Sequence, residues 1–163
     1  MQMKILIVSD THGKTYHLDQ ILMNVCPIDY FIHLGDVCDV DLYTSVEIKC
    51  PKAIIAGNND FFVPYPKEDM ITIAGRKIWL THGHRYDIYY GTQRIKEAAK
   101  EKGADIVMCG HSHYPLIEIN DDVTVLNPGS VTFPRQENRL PSFIIMEIDE
   151  RNEAHYTLNY LKR

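Results

Sequence analysis

Several features are missing from this sequence, and each absence removes a class. No apolar run approaches the roughly 20 residues of a membrane-spanning helix, so no membrane role is expected. No basic run occurs in the 163 residues, and the formal net charge is -5. A protein that coats nucleic acid needs a positive face, so that class is set aside too. A small anionic substrate remains open, because a bound cation reverses the local field. None of the four cysteines, Cys26, Cys38, Cys50 and Cys109, belongs to a C-x-x-C pair. They read as reduced thiols of a cytoplasmic protein. Cys26, Cys50 and Cys109 read as small apolar fillers. Cys38 follows a Gly-Asp and stands near a candidate site without a ligand's spacing. Repeats, low-complexity segments and linkers are also absent. The first apolar stretch is too short, and too soon followed by Ser9-Asp10, to be a signal peptide.

What is present suits a soluble globular protein: 45% hydrophobic and 24% charged residues, enough for one domain over 1–163 with a sizeable core. Lys4 to Val8 is an apolar strand. Leu18, Ile21, Leu22 and Val25 share a helical face, and Pro27 marks its end. Tyr30 to Leu34 and Pro51 to Ala56 read as further strands, with a short helix over Val40 to Ile48 between them. Strand and helix in alternation open a parallel α/β sheet. Met70 to Ile73 and Lys77 to Leu80 flank a hairpin turn at Ala74-Gly75-Arg76. Gly91 to Lys102 reads as a helix with Ile95, Ala98 and Ala99 inward and Gly103 as its stop. Asp105 to Cys109 is a strand. Hairpins follow, over Leu116 to Leu126 and over Ser142 to Leu161.

One theme repeats. The first strand ends in Ser9-Asp10-Thr11-His12-Gly13, the second in Gly35-Asp36, and the third in Gly57-Asn58-Asn59-Asp60. Two later strands end in Thr81-His82-Gly83-His84 and Gly110-His111-Ser112-His113. Loops at the carboxyl ends of parallel strands carry ligand sites in open α/β sheets. A carboxylate oxygen beside imidazole nitrogens suits divalent transition metals, and glycine lets the backbone come close to a ligand. Taken alone, Asp10-x-His12 is equally an Asx-turn with an exposed histidine. Five such loops would converge on one rim if their strands share a sheet.

In this order, Asp-x-His, Gly-Asp, Gly-Asn-x-Asp, His-Gly-His and Gly-His-x-His resemble the calcineurin-like metallophosphoesterases. The small size and compact order look most like the bacterial and archaeal YfcE-type phosphodiesterases. The resemblance runs from residue 3 to about 130, and Asn127-Pro128-Gly129-Ser130 fits it as well. It implies an α/β fold in which two mixed β-sheets pack together as a four-layer sandwich flanked by helices. It also implies two divalent metal ions, Mn first, with Fe, Ni, Co or Zn as alternatives. Asp10, His12 and His113 would hold one, and Asn58, His82 and His111 the other. Asp36 would bridge them, since a carboxylate can place one oxygen on each ion. The implied reaction is hydrolysis of a small phosphoester, a phosphodiester by preference, by a hydroxide bridging the metals.

Other residues carry two readings. His84 contacts substrate or supports a ligand, while Arg85 is a phosphate fork or a surface ion pair. Asp60 orients the loop around Asn58. Tyr86, Tyr89 and Tyr90 line a cleft, form a homo-oligomer face or simply pack. His33 reads as a satisfied, partly buried histidine, and His17 and His155 as solvated. Two departures stand out. Many relatives have His where Asn59 stands, and protein phosphatases of the superfamily have Arg where Val40 follows Asp39. Asn59, His84 and Asp39 are therefore the candidate catalytic residues, with Asn59 a hydrogen-bond donor to phosphate held by Asp39. Two rival functions remain: a binding scaffold like the retromer subunit Vps29, which resembles this fold, and a phosphomonoesterase acting on nucleotide or sugar phosphates.

Overall fold

Ile5, Leu6, Ile7 and Val8 have no solvent exposure, because their strand is covered on both faces. The computed structural model describes residues 2–38 and 42–162; Asp39 and Val40 lie outside the described residues. Along the chain come β1 (Met3–Val8), α1 (Tyr16–Val25), β2 (Tyr30–His33), β3 (Lys52–Ile54), β4 (Glu68–Ile73) and β5 (Arg76–Thr81). A single 3-10 turn (Ile88–Tyr90) precedes α2 (Gln93–Glu101), β6 (Ile106–Met108), β7 (Pro115–Glu118), β8 (Thr124–Pro128), β9 (Ser142–Ile148) and β10 (Ala154–Tyr160).

Two five-stranded sheets result, ordered β10-β9-β1-β2-β3 and β4-β5-β6-β8-β7. Both are mixed. In the first, β1 pairs parallel with β2 and antiparallel with β9. In the second, β5, β6 and β8 run parallel, and β4 and β7 close the edges antiparallel. Period-two alternation assigns the layers. Ile5 and Ile7 enter a core shared with Ile78, Leu80, Ile106, Met108 and Leu126 of the second sheet. Leu6 and Val8 face the other way, onto Leu18, Ile21 and Leu22 of α1. Trp79, Val107 and Val125 meet Ile95 and Ala99 of α2. The layers are therefore helix, sheet, sheet, helix, the sandwich that the resemblance implies.

The short helix expected over Val40 to Ile48 does not form in its described part: residues 42–48 are irregular. Leu42, Val46 and Ile48 are half-buried while Tyr43, Ser45 and Glu47 are exposed, an extended alternation. The Asp19 carboxylate accepts from the backbone N–H of both Ser45 and Val46, at 2.7 and 3.3 Å. Those donors are occupied from outside, so an extended path satisfies them without a helical ladder. The hairpin turn is tighter than its three-residue signal. Ile73 pairs with Arg76, leaving Ala74 and Gly75 as central residues at φ 50° and 83°, the positive-φ pair of a type I′ turn. Among the cysteines, Cys109 is buried as a filler should be. Cys26 is exposed, because it follows the last turn of α1 outside the packed stripe.

His33, at the end of β2, is completely buried rather than half-buried. Its Nδ1 accepts from the Gly35 N–H at 3.2 Å, so its proton sits on Nε2, 3.0 Å from the Thr11 hydroxyl. A second proton would face the Gly35 N–H. Burial therefore pushes its pKa down from 6.5 to about 4, against the pull of Asp10. Over that window the unfolded chain binds a proton that the folded chain excludes. Stability from this group is complete above pH 6.5 and is lost as pH falls towards 4, by up to about 3 kcal/mol. Urea denaturation of the parent and of His33→Gln across this range should show the parent's advantage shrinking as pH drops.

Candidate metal centre

The parallel strands bring their carboxyl ends to one edge of the sandwich, where loops from both sheets interlock. The Gly110 N–H donates to the His82 carbonyl, and the Asp10 N–H donates to the Gly35 carbonyl, each at 3.0 Å. The His111 N–H donates to Asp10 Oδ2 at 3.1 Å. Gly57 and Gly110 make this closeness feasible. A Cβ at Gly57 would stand 2.2 Å from Asp36 Oδ1, and one at Gly110 only 2.1 Å from Ser9 Oγ. The loops are also strained. Asp10, His12, Asp36, His111 and His113 all adopt positive φ between 50° and 68°, a region that costs a non-glycine residue about 1–2 kcal/mol.

The strain brings six histidine and aspartate side chains into two groups whose donor atoms lie within 4.8 Å of one another. One is Asp10, His12 and His113; the other is Asp36, His82 and His111. In the first, Asp10 Oδ1 stands 3.3 Å from His113 Nε2 and 3.5 Å from His12 Nε2. In the second, Asp36 Oδ2 is 3.4 Å from His82 Nε2. The groups adjoin, because the same Asp36 oxygen is 3.7 Å from His12 Nε2. Asn58 Oδ1 joins the second group, 3.1 Å from His111 Nδ1. The seven residues that the motifs single out thus share one place.

Hydrogen bonds aim the rings. His82 Nδ1 donates to the Leu34 carbonyl at 2.7 Å, and His113 Nδ1 to the Phe133 carbonyl at 2.8 Å. A carbonyl only accepts, so in each ring Nδ1 holds a proton and Nε2, pointing inward, is the atom left for a metal. Asp10 Oδ2 is satisfied by Ser9 and the His111 N–H. Asp10 Oδ1 and His82 Nε2 are buried with no hydrogen-bond partner among the described residues. Buried polar atoms of this kind need an explanation. A cation supplies one: ligands about 2.1 Å from a shared ion stand roughly 3 to 3.5 Å apart, the spacing found here.

Electrostatics agree. Burial opposes charge on Asp10, but His113 and His12 outweigh it and hold its carboxyl well below the usual range. Asp36 behaves likewise, with His82 and the Asn59 N–H overcoming burial. Burial and then the charge of His82 push His111 down to about 4, leaving it neutral. Burial disfavours the charged form of His82, yet Asp36 and Asp10 raise its pKa overall. The chain's own answer to two adjacent carboxylates is thus a proton, which a metal ion would displace.

Around the donors, the remaining candidates separate. Asn59 donates from its side chain to Asp36 Oδ2 and from its backbone to Asp36 Oδ1, both at 3.0 Å. Its amide is turned onto Asp36 rather than outward to a phosphate. Asp60 ties two loops together, accepting from the backbone N–H of Val37, Cys38 and Gly57. The exposed His84 ring lies 5.6 Å from that of His82 and 5.9 Å from that of His111. Arg85 is exposed and makes no ion pair among the described residues. Cys38 Sγ is 3.5 Å from His12 Nδ1. The tyrosine cluster divides: Tyr86 packs on Trp79, Tyr89 covers His111, and Tyr90 is exposed. His17 reaches the Val131 carbonyl at 3.2 Å and is not simply solvated; His155 is exposed and pairs with Asp149. Sequence reasoning passed over the brace formed by the Asn-Pro-Gly-Ser turn. Asn127 Nδ2 donates to the Gly110 carbonyl and Ser130 Oγ to that of Asp10, at 3.1 and 2.8 Å. Its Gly and Pro signalled a turn, but nothing local named the partners.

Fold and site together define a metallophosphoesterase architecture. The chain belongs to the calcineurin-like phosphoesterase superfamily, whose domain model matches residues 3–151. It is 34% identical over 148 residues to the probable metallophosphoesterase YsnB of Bacillus subtilis, covering 90% of this chain and 85% of that protein. Its structure is similar to that of a novel archaeal phosphodiesterase, with TM-score 0.68 and 25% identity over 96% of this chain and all of that one. It shares its fold with Vps29 from Entamoeba histolytica, solved with Zn, at TM-score 0.76 and 21% identity over 97% and 99% of the two chains. The superfamily uses divalent metals. No described helix is long and apolar enough to cross a membrane.

Saturating Mn or Zn should raise the melting temperature, and a chelator should reverse the rise. An ion at about 100 times its Kd adds about 2.7 kcal/mol, or roughly 5–10 °C for a chain of this size. The rise should shrink as pH is lowered, because Asp36 and Asp10 favour the proton on His82 that competes with the ion. Calorimetric scans of the parent and of Asp36→Ala, which should lose most of the rise, would check it.

Proposed function

We propose that this protein hydrolyses small phosphodiesters with two divalent metal ions. Asp10, His12 and His113 would hold one, Asn58, His82 and His111 the other, and Asp36 would serve both. The observation that carries the reading is the pair of adjoining donor groups meeting at Asp36 Oδ2, 3.4 Å from His82 and 3.7 Å from His12. Two borderline divalent ions suit two carboxylates, four imidazoles and one amide oxygen, Mn first among Mn, Fe, Ni, Co and Zn. When bound, they would supply Lewis acidity and a water activated near neutral pH. Preference for diesters rests on the likeness to the archaeal phosphodiesterase.

The side chains have separable tasks. Asp10 and Asp36 bring negative charge that lets two dications sit close together. The Leu34 and Phe133 carbonyls keep the Nε2 atoms of His82 and His113 aimed inward. Asn59 holds Asp36 in plane through two hydrogen bonds. The exposed His84 stands beside His82 and His111, its ring 5.6 and 5.9 Å from theirs. Burial, His82 and Arg85 all lower its pKa, so little of it is protonated at neutral pH. A scaffold role is supported only at the level of fold, by the Vps29 likeness. A scaffold has no use for seven converging donors, five of them on strained backbone.

The direct test is hydrolysis of bis-p-nitrophenyl phosphate across a panel of metals. Asp36→Ala should lose about 10³-fold or more in rate, a barrier change of about 4 kcal/mol, while retaining the parent's circular dichroism. Tight metal binding with no hydrolysis of any ester would favour the scaffold instead.

A second measurement concerns the departing alcohol. A positioned general acid contributes about 10²–10⁴-fold, and Asn59 cannot titrate. The rate should therefore depend steeply on leaving-group pKa, with aryl esters cleaved readily and alkyl esters poorly. Asn59→His, by adding a titratable ring there, should help alkyl esters more than aryl ones. A leaving-group series at saturating metal decides it. A flat parental series that steepens in His84→Ala would instead make His84 an efficient acid.

A further inference from the structure

Next to the metal centre, Tyr89 and Arg135 form a fixed pair that the donor set does not use. The Tyr89 ring stands edge-on to His111, with centroids 5.0 Å apart. Its hydroxyl donates to the His111 carbonyl at 3.2 Å and accepts from Arg135 Nη1 at 2.6 Å. The guanidinium carbon lies 5.8 Å from the centre of the same ring. The Arg135 backbone N–H donates to the His113 carbonyl at 3.1 Å, and Nη1 also reaches the Ser112 carbonyl at 3.5 Å. The cation is thus anchored to the His111–His113 loop through both main chain and side chain.

What the anchoring leaves over is the informative part. Only Nη1 is engaged, and Nε and Nη2 meet no acceptor among the described residues. Those two nitrogens form the edge of a guanidinium that gives two parallel hydrogen bonds to a phosphate or carboxylate. No carboxylate pairs with Arg135 among the described residues, although acidic residues outnumber basic ones, 22 to 17. Holding the side chain in place beforehand reduces the entropy lost when a ligand binds. A second unpaired cation stands on the same rim: Lys14 Nζ lies 4.9 Å above the Phe133 ring, whose edge meets His12 at 5.4 Å.

We propose that Arg135, positioned by Tyr89, binds a second phosphate of the substrate, at the end away from the scissile ester. The favoured substrate is then a phosphoester bearing another phosphate a few bonds from the reacting one. This rests on the phosphoesterase reading and narrows it to a substrate class.

Two esters with the same leaving group isolate the effect: ethyl p-nitrophenyl phosphate, and its analogue with a terminal phosphate on the ethyl group. With Mn saturating, the parent should favour the analogue by about tenfold or more in kcat/KM, the worth of one charged hydrogen-bonded contact. Arg135→Met should erase the preference, and Arg135→Lys should keep part of it. Equal kcat/KM for the two esters in the parent overturns the proposal. So does an Arg135→Met variant that slows both by the same factor, the behaviour of a loop brace. If the parent cleaves neither ester, the phosphoesterase reading fails on its own. Calorimetric titration of the Mn-loaded protein with ethylene glycol bisphosphate and with ethyl phosphate then decides the subsite. Tighter bisphosphate binding that Arg135→Met abolishes supports it, and equal binding of the two sinks it.

Discussion

Two carboxylates buried side by side are the constraint on which this edge of the molecule depends. Asp10 has no solvent exposure and Asp36 only 2%, and each raises the cost of charge on the other. Isolated in an apolar interior they would simply take up protons. Here both stay ionised, because the surrounding loops direct hydrogen-bond donors and imidazoles at them. Ser9, Asn59 and the His111 N–H take three of the four carboxylate oxygens. Asp10 Oδ1 is left facing only ring nitrogens. Satisfying it requires a positive charge, and that requirement links the fold to metal chemistry.

The same requirement explains where strain accumulates. Five of the seven candidate donors sit at positive φ, each at a cost of about 1–2 kcal/mol. Such backbone persists when its surroundings over-determine it. The surroundings here are bonds between sheets: the Leu34 carbonyl to His82, the His111 N–H to Asp10, and the Asp10 carbonyl to Ser130. Each sheet therefore aims the other's ligands. The interlock also accounts for the glycines that flank the donors, since at Gly57 and Gly110 a methyl group would overlap the carboxylate or hydroxyl next door.

Much of this was legible in the sequence, and the rest was hidden for identifiable reasons. The strands and both helices announced themselves through periodicity. The donors announced themselves because each polar loop follows an apolar strand and contains Asp, Asn or His. The segment from 42 to 48 misled because Leu42 and Val46 are four apart, a helical spacing. Its extended path depends on Asp19, more than twenty residues away. The contact that Asn59 makes was hidden for a related reason. Its partner, Asp36, lies on another strand's loop, and pairing between loops has no local signature. Arg135 and Phe133 follow the recognisable Asn-Pro-Gly-Ser turn, but their place at the rim arises only when that turn is bonded to the loops of Asp10 and His111.

The shared architecture with Vps29 makes a further point about inference. A four-layer sandwich with helices outside is compatible with both hydrolysis and docking, so fold alone decides nothing between them. Donor geometry speaks to metal binding, because it is expensive, and a Vps29 of this fold has itself been solved with Zn. A surface with no metal to bind would gain from replacing a strained, buried aspartate with a neutral residue, which would remove the cost of the charge and the need for a cation together. This chain buries both aspartates, aims two imidazoles through backbone carbonyls, and leaves one carboxylate oxygen without a partner among the described residues. Interactions that destabilise the metal-free chain and that a cation would satisfy mark this edge as a metal site, whichever function the metal serves.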